Sequence, residues 1–334
     1  MTDPQLHRGP DAQSLGGPDS QSLGGTATST EVEAVLRRLE YTVRNKLDGL
    51  LLGNYLGLVP GPGSEPGESR QYYPGDDVRR MDWPVTARTT VPHVRQTVAD
   101  RELETWLVID LSPSLDFGTV NTEKRNLVFA AATAVSHLTA KAGNRIGAIV
   151  TNGEQTFRVP AVGGANHARY LMRRIAGTAR AGSGKGNDLA RVLELVRRPP
   201  RRRGMVVVIS DFLGEADWER PLRGLGERHE LLGIEILDPR ELDLPAAGLV
   251  TFVDPETGQQ LEVQTSDAQL RARYAQVARQ QRVDIASMLR RAGADHVQLR
   301  TDSDWLADLV RFVVTRRRGI SARPPSRAGM IGVH

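Results

Sequence analysis

The stretch "VIDLSPSLDFG" (108–118) places an aspartate and two serines where they could hold a cation: Asp110, Ser112 and Ser114 follow an apolar run at i, i+2 and i+4. Carboxylate and hydroxyl oxygens suit hard divalent ions, and Mg²⁺ keeps several waters while taking few protein ligands. A second apolar run, "GMVVVISD" (204–211), also ends in an aspartate, Asp211. As neighbours in one parallel sheet, the two runs would bring two carboxylates and two hydroxyls to a single rim. Open parallel sheets bind ligands outside the carboxyl ends of their strands. The same residues admit a plainer use, since an Asp after a strand caps turns and helices and nearby serines do likewise. Asp211 in the matching place favours the metal.

Such a rim needs a sheet to carry it. From 103 onward, short apolar runs alternate with amphipathic stretches: "LETWLVID", "RIGAIVT", "GMVVVISD", "HELLGIEILD" and "DHVQLRT" read as strands. "NTEKRNLVFAAATAVSHLTAKAG", "NHARYLMRRIAGT", "NDLARVLELVRR", "DWERPLRGLGER" and "DWLADLVRFVVTRRR" read as helices. Strands alternating with helices indicate βαβ units, hence an α/β fold with a mostly parallel sheet flanked by helices. "QTFRVP" is a further short strand. "GLVTFVDPETGQQLEVQT" reads as a hairpin turning at "PETG", an insertion at about 241–265, followed by a long helix from "SDAQL".

Upstream, "PDAQSLGG" is followed at once by "PDSQSLGG" (10–25). Two copies are too few for a stacked repeat, and the composition cannot bury enough apolar area to order the chain. Residues 1–28 are therefore expected to be a disordered tail. Residues 29–52 read as a helix with Thr30 and Glu33 as a capping box and an apolar stripe through Val43 and Leu47. Residues 53–102 read as a small β-rich subdomain, 103–316 as the sheet domain and 317–334 as a basic flexible tail.

The 334 residues carry a net charge of +4, with 39% hydrophobic and 25% charged residues, a globular balance. With no cysteine, disulfides, thiolate metal sites and cysteine catalysis are excluded. No run reaches a membrane span and no secretory pattern opens the chain, so a cytoplasmic location is expected. The arginines of "RRPPRRR" (197–203) have no interleaved aromatics, which argues against a single-strand nucleic-acid platform.

Asp-x-Ser-x-Ser at the first strand resembles the metal-ion-dependent adhesion site of von Willebrand factor A domains. That resemblance implies Mg²⁺, or another hard cation such as Mn²⁺, with Asp110, Ser112, Ser114 and Asp211 as ligands. It also implies an acidic side chain from a protein partner at the open position. The family's second-loop threonine would be replaced here by Asn187, whose amide oxygen can still ligate. "RQYYPGDDVRRMDWPVTAR" (70–88) is similar to the signature of the domain-of-unknown-function-58 proteins, with "ISDF" and "TDSDWLADLVRF" fitting as well. The resemblance implies a von Willebrand A-like fold and a MoxR-type AAA+ ATPase as co-worker in chaperone-like assembly or activation of a client. Within the signature, Asp76, Asp77 and Asp82 lie among Arg70, Arg79, Arg80 and Arg88, either as an ion-paired scaffold or as a partner-binding face.

Two other readings are weakened by single positions. "AGSGKGND" lacks the first Gly and the final Ser or Thr of a phosphate loop. A phosphotransferase using Asp110 as nucleophile would want a second acid at i+2, and Ser112 is there. The expected function is a non-enzymatic, metal-dependent protein-interaction module. A metal-dependent hydrolase or phosphotransferase using Asp110 is the rival, and a metal-free structural adaptor the third reading.

Overall fold

The computed structural model describes residues 41–43, 45, 47, 69–73, 78, 81–95, 103–120, 122–141, 143–182, 189–196, 204–255 and 257–321. The octapeptide pair, most of the expected 29–52 helix, Asn187, the 197–203 arginines and the last thirteen positions lie outside the described residues. Of the N-terminal helix, Tyr41, Thr42, Val43, Asn45 and Leu47 are described and helical. Val43 and Leu47 are buried in the main core, as the apolar stripe requires.

The sheet has six strands. In chain order its strands and helices are β3 (Glu104–Asp110), α2 (Lys124–Lys141), β4 (Arg145–Thr151), β5 (Thr156–Val162), α3 (Ala165–Ala176), α4 (Leu189–Val196), β6 (Gly204–Ser210), α5 (Glu219–Gly226), β7 (Glu230–Leu237), α6 (Ala268–Arg291), β10 (Ala294–Arg300) and α7 (Trp305–Ser321). The spatial order is β10-β7-β6-β3-β4-β5. All neighbours are parallel except β4 and β5, so the short "QTFRVP" strand makes an antiparallel edge. The inner strands are β-branched and buried on both faces, as parallel strands covered by helices must be.

Alternation along the strands sorts the side chains. Leu107, Ile109, Val207 and Ile209 face the layer formed by α2, α3 and α7, while Trp106, Val108, Val206 and Val208 face α4, α5 and α6. β4 and β6 flank β3 on opposite sides, so the order in which strands are added reverses at the β3–β6 boundary.

Gly147 is where β4 crowds its neighbours. A Cβ there would come within 2.9 Å of Ala161 N, Val159 O and the Trp106 ring. Gly147→Ala should cost about 1–3 kcal/mol through overpacking. Urea denaturation tests this, and a midpoint matching the parent would show that β5 yields freely.

The signature region differs from the expected β-rich subdomain. Its described part holds two three-residue strands, β1 (Ser69–Gln71) and β2 (His93–Arg95), paired antiparallel, plus a helix, α1 (Trp83–Thr89). Asp82, read from sequence as one of an ion-pair set, is the N-cap of α1 and accepts from Val85 N at 3.3 Å. Pro84 suits the first turn, and Thr90 in the left-handed region ends the helix. Tyr73, Val78 and Trp83 are exposed. The hairpin insertion is present as β8 (Leu249–Val253) and β9 (Gln260–Gln264). α7 continues to Ser321, five residues into the expected flexible tail, because "RRRGIS" prolongs the helix.

Candidate functional site

Asp110 ends β3 and Asp211 follows β6, and the two strands are hydrogen-bonded neighbours with Ile109 opposite Ile209. The two aspartates therefore meet at the switch point. Both make the tight turn that strand-end aspartates favour. Asp110 Oδ1 accepts from Ser112 N at 2.9 Å and Asp211 Oδ1 accepts from Leu213 N at 3.1 Å. The turn after Asp211 drives Phe212 to φ +55°, a conformation that costs a bulky residue on the order of 1 kcal/mol and recurs at functional sites. Phe212 is held there by Trp218, with ring centroids 5.1 Å apart.

Capping does not exhaust these groups. Asp110 Oδ2 accepts from the Ser210 hydroxyl at 2.8 Å. The Ser112 and Ser114 hydroxyl oxygens lie 3.1 Å apart, within hydrogen-bond distance of each other. Two serines and two aspartates thus share one rim, all four buried. Asp211 sits on the opposite face from Asp110 and Ser210, because side chains alternate. That face belongs to α2, and Lys124, in its first turn, donates from Nζ to Asp211 Oδ2 at 2.8 Å. The same ammonium reaches Glu241 Oε1 at 2.5 Å. Glu241 ends a tight turn, Pro239–Glu241, after β7, where its other oxygen accepts from Asp238 N at 3.0 Å.

The electrostatics follow from this wiring. Burial, and next the negative charge of Asp211, push the Asp110 carboxyl up to about 6, against the bonds from Ser112 and Ser210. Burial acts the same way on Asp211, but Lys124, Leu213 N and Ser114 outweigh it and hold Asp211 below the ordinary carboxylate range. Burial opposes the Lys124 ammonium, yet Asp211 and Glu241 prevail and hold its pKa above the usual lysine value. Burial, with Asp211 adding to it, leaves Glu241 raised in spite of Lys124. With all four ionised, three carboxylates face one ammonium, leaving two negative charges in a low-dielectric rim.

Around this core the loops are braced. Arg125 Nη1 donates to Asp116 at 3.1 Å and Nη2 to Thr178 O at 2.5 Å, joining the loop after β3 to the one after α3. Asp238, wholly buried, accepts from Thr119 N at 3.0 Å and from the hydroxyls of Thr119 at 2.6 Å and Thr301 at 2.9 Å.

The donor set is oxygen throughout, which fits a hard divalent cation and not a soft one. Among the described residues, no cluster of three or more His, Cys, Asp or Glu side chains has metal-holding geometry. A cation here would lean on the serine hydroxyls. Of the five expected ligands, four come together: Asp110, Ser112, Ser114 and Asp211. Asn187 lies outside the described residues. Sequence reasoning missed Ser210, Lys124 and Glu241. Ser210 was legible, one position before Asp211 and so on the face Asp110 uses. Lys124 in "TEKRN" and Glu241 in "DPRELD" look like solvated charges until the chain folds.

Residues 68–284 match the family described as Protein of unknown function DUF58. The chain belongs to the DUF58 family. A Mycobacterium tuberculosis protein described as uncharacterized is 56% identical over 292 residues, covering 87% of this chain and 92% of its own. The DUF58 match spans the 70–88 signature and both rim strands. Among solved structures, BatB from Bacteroides thetaiotaomicron aligns over 65% of this chain and 99% of its own, at 14% identity and TM-score 0.40. The SpRpn10 VWA domain aligns over 62% of this chain and 93% of its own, at 11% identity and TM-score 0.34. The DUF58 fold here is a mostly parallel six-strand sheet between two helical layers. Among the described residues, no helix is long and apolar enough to cross a membrane.

Proposed function

We propose that this DUF58 chain is a non-enzymatic protein-interaction module whose rim takes a divalent cation, Mg²⁺ or Mn²⁺. Asp110, Ser112, Ser114 and Asp211 would hold the ion, with Asn187 as a further ligand. The cation would supply a Lewis-acidic contact for an Asp or Glu of a protein partner. The observation that carries the reading is the convergence of two buried aspartates, Asp110 and Asp211, with two buried serine hydroxyls 3.1 Å apart. The two carboxylates repel each other there, and a divalent ion would offset that repulsion. The partner we propose is a MoxR-type AAA+ ATPase, acting with this chain in chaperone-like assembly or activation of a client. The family resemblance in the 70–88 signature supports that choice.

The hydrolase reading is less well supported. Asp110 is fully buried and both of its oxygens already accept hydrogen bonds, a poor state for a nucleophile. The test is affinity capture of the tagged chain from lysate of its source organism, in Mg²⁺ and in chelator, beside Ser112→Ala/Ser114→Ala. An AAA+ ATPase retained by the parent in Mg²⁺, and reduced at least tenfold by chelator and by the double variant, is the expected result. Equal retention in all three would leave a metal-free adaptor. Turnover of a phosphate ester abolished by Asp110→Asn would establish the hydrolase instead.

A further inference from the structure

Lys124 is an unusual occupant for a cation-binding rim. Its ammonium is fully buried, 2.8 Å from Asp211 Oδ2 and 2.5 Å from Glu241 Oε1. Asp211 Oδ1 accepts from Leu213 N. The other oxygen, Oδ2, is the one the lysine holds. Burying an ammonium is unfavourable unless it is paired and hydrogen-bonded, and these two carboxylates are what pair it. Glu241 is itself pinned, since its second oxygen accepts from Asp238 N within a capping box. It can therefore keep the ammonium if Asp211 lets go.

We infer that Lys124 is a tethered counter-cation that competes with the divalent ion for Asp211, with Glu241 as its second seat, so that Lys124 sets the divalent concentration at which the rim loads. The inference rests on the reading of the rim as a divalent-cation site. It adds two residues that act through Asp211 without contacting the ion, so they are positioning residues. With the ammonium on Asp211, the Oδ2 atom is already held by a cation. For Asp211 to hold an ion beside Ser112 and Ser114, Lys124 would have to release its Oδ2 and stay with Glu241. The competition also couples loading to the turn after β7, because Glu241 ends that turn.

The decisive variant is Lys124→Met/Glu241→Gln. It removes one positive and one negative charge together, so the rim keeps the same two net negative charges. Any gain in affinity then reports the freed Asp211 oxygen and not a change in overall field. Mn²⁺ alone is titrated calorimetrically into the full chain, for the parent, for this variant and for the variant carrying Ser112→Ala/Ser114→Ala as well. Thermal denaturation confirms that each is folded. The expected result is Mn²⁺ affinity at least tenfold higher in the charge-neutral variant, lost again when the serines go. A variant that binds Mn²⁺ no more tightly than the parent overturns the inference. If the parent binds Mn²⁺ and the variant binds it equally, the metal site stands and the role of Lys124 falls. If the parent shows no binding and the variant binds, the role of Lys124 stands and the parent's metal dependence falls. No binding by either overturns both.

Discussion

Lys124→Met alone should be among the most destabilising single substitutions in this chain, costing about 3–5 kcal/mol. It takes the cation away from the buried Asp211 and the half-buried Glu241, close to a third carboxylate, Asp110. The loss exceeds the worth of the ion pair itself, since the penalty comes from charges left unpaired in low dielectric. Glu241→Gln in the same chain should recover part of it, as one stranded charge is removed. Urea denaturation of the parent, the two single variants and the double variant closes the cycle, and strong coupling is expected because the groups touch. The single variant should also respond to divalent ions. Ligand at a hundredfold its dissociation constant stabilises the native state by about 2.7 kcal/mol, so Mn²⁺ should raise the melting temperature of Lys124→Met more than that of the parent. A loss below about 1 kcal/mol would mean the rim carboxylates find other partners.

The second large effect lies one strand away. Glu235, in the middle of β7, is fully buried, and three donors converge on it. Arg282 Nη1 on α6 is 2.8 Å from its Oε1, His296 Nε2 is 2.7 Å and Gln298 Nε2 2.9 Å from its Oε2, and Arg282 also reaches Asp211 O at 3.5 Å. Burial alone would raise Glu235, but His296, Gln298 and Arg282 overcome it and leave its carboxyl below the ordinary range. A carboxyl depressed in the native state contributes stability that is complete above its unfolded value, about 4.3 for glutamate. That contribution is lost as pH falls through the lower native value. Arg282→Met should cost about 3–5 kcal/mol at neutral pH. The gap from the parent should narrow in acid, because a protonated Glu235 no longer needs the arginine. Glu235→Gln combined with Arg282→Met should recover much of the loss. Denaturation midpoints between pH 7 and acid check this, and a gap that stays constant with pH would refute the assignment.

The sequence by itself determined the alternating strands and helices, the hairpin insertion, and the two aspartates at strand ends. These are local signals: apolar runs of strand length, helical periodicity, and turn residues at fixed offsets. That β3 and β6 are neighbours was a condition of the rim in sequence, and the fold supplies it. The helix in the signature was missed because "DWPVTART" has no long apolar period. Its evidence is the Asp82 cap and Pro84, which local charge counting read differently. The tertiary structure alone decided that Lys124, in the first turn of α2, would meet Asp211 and Glu241. Those positions are 87 and 117 residues away, and nothing in their immediate neighbours distinguishes a buried triad from three solvated charges. Side-chain alternation puts Asp211 on the α2 face and Ser210 on the Asp110 face, and the packing of α2 then delivers the lysine. Electrostatics in a buried rim depends on which charges the folded chain brings within a few ångströms.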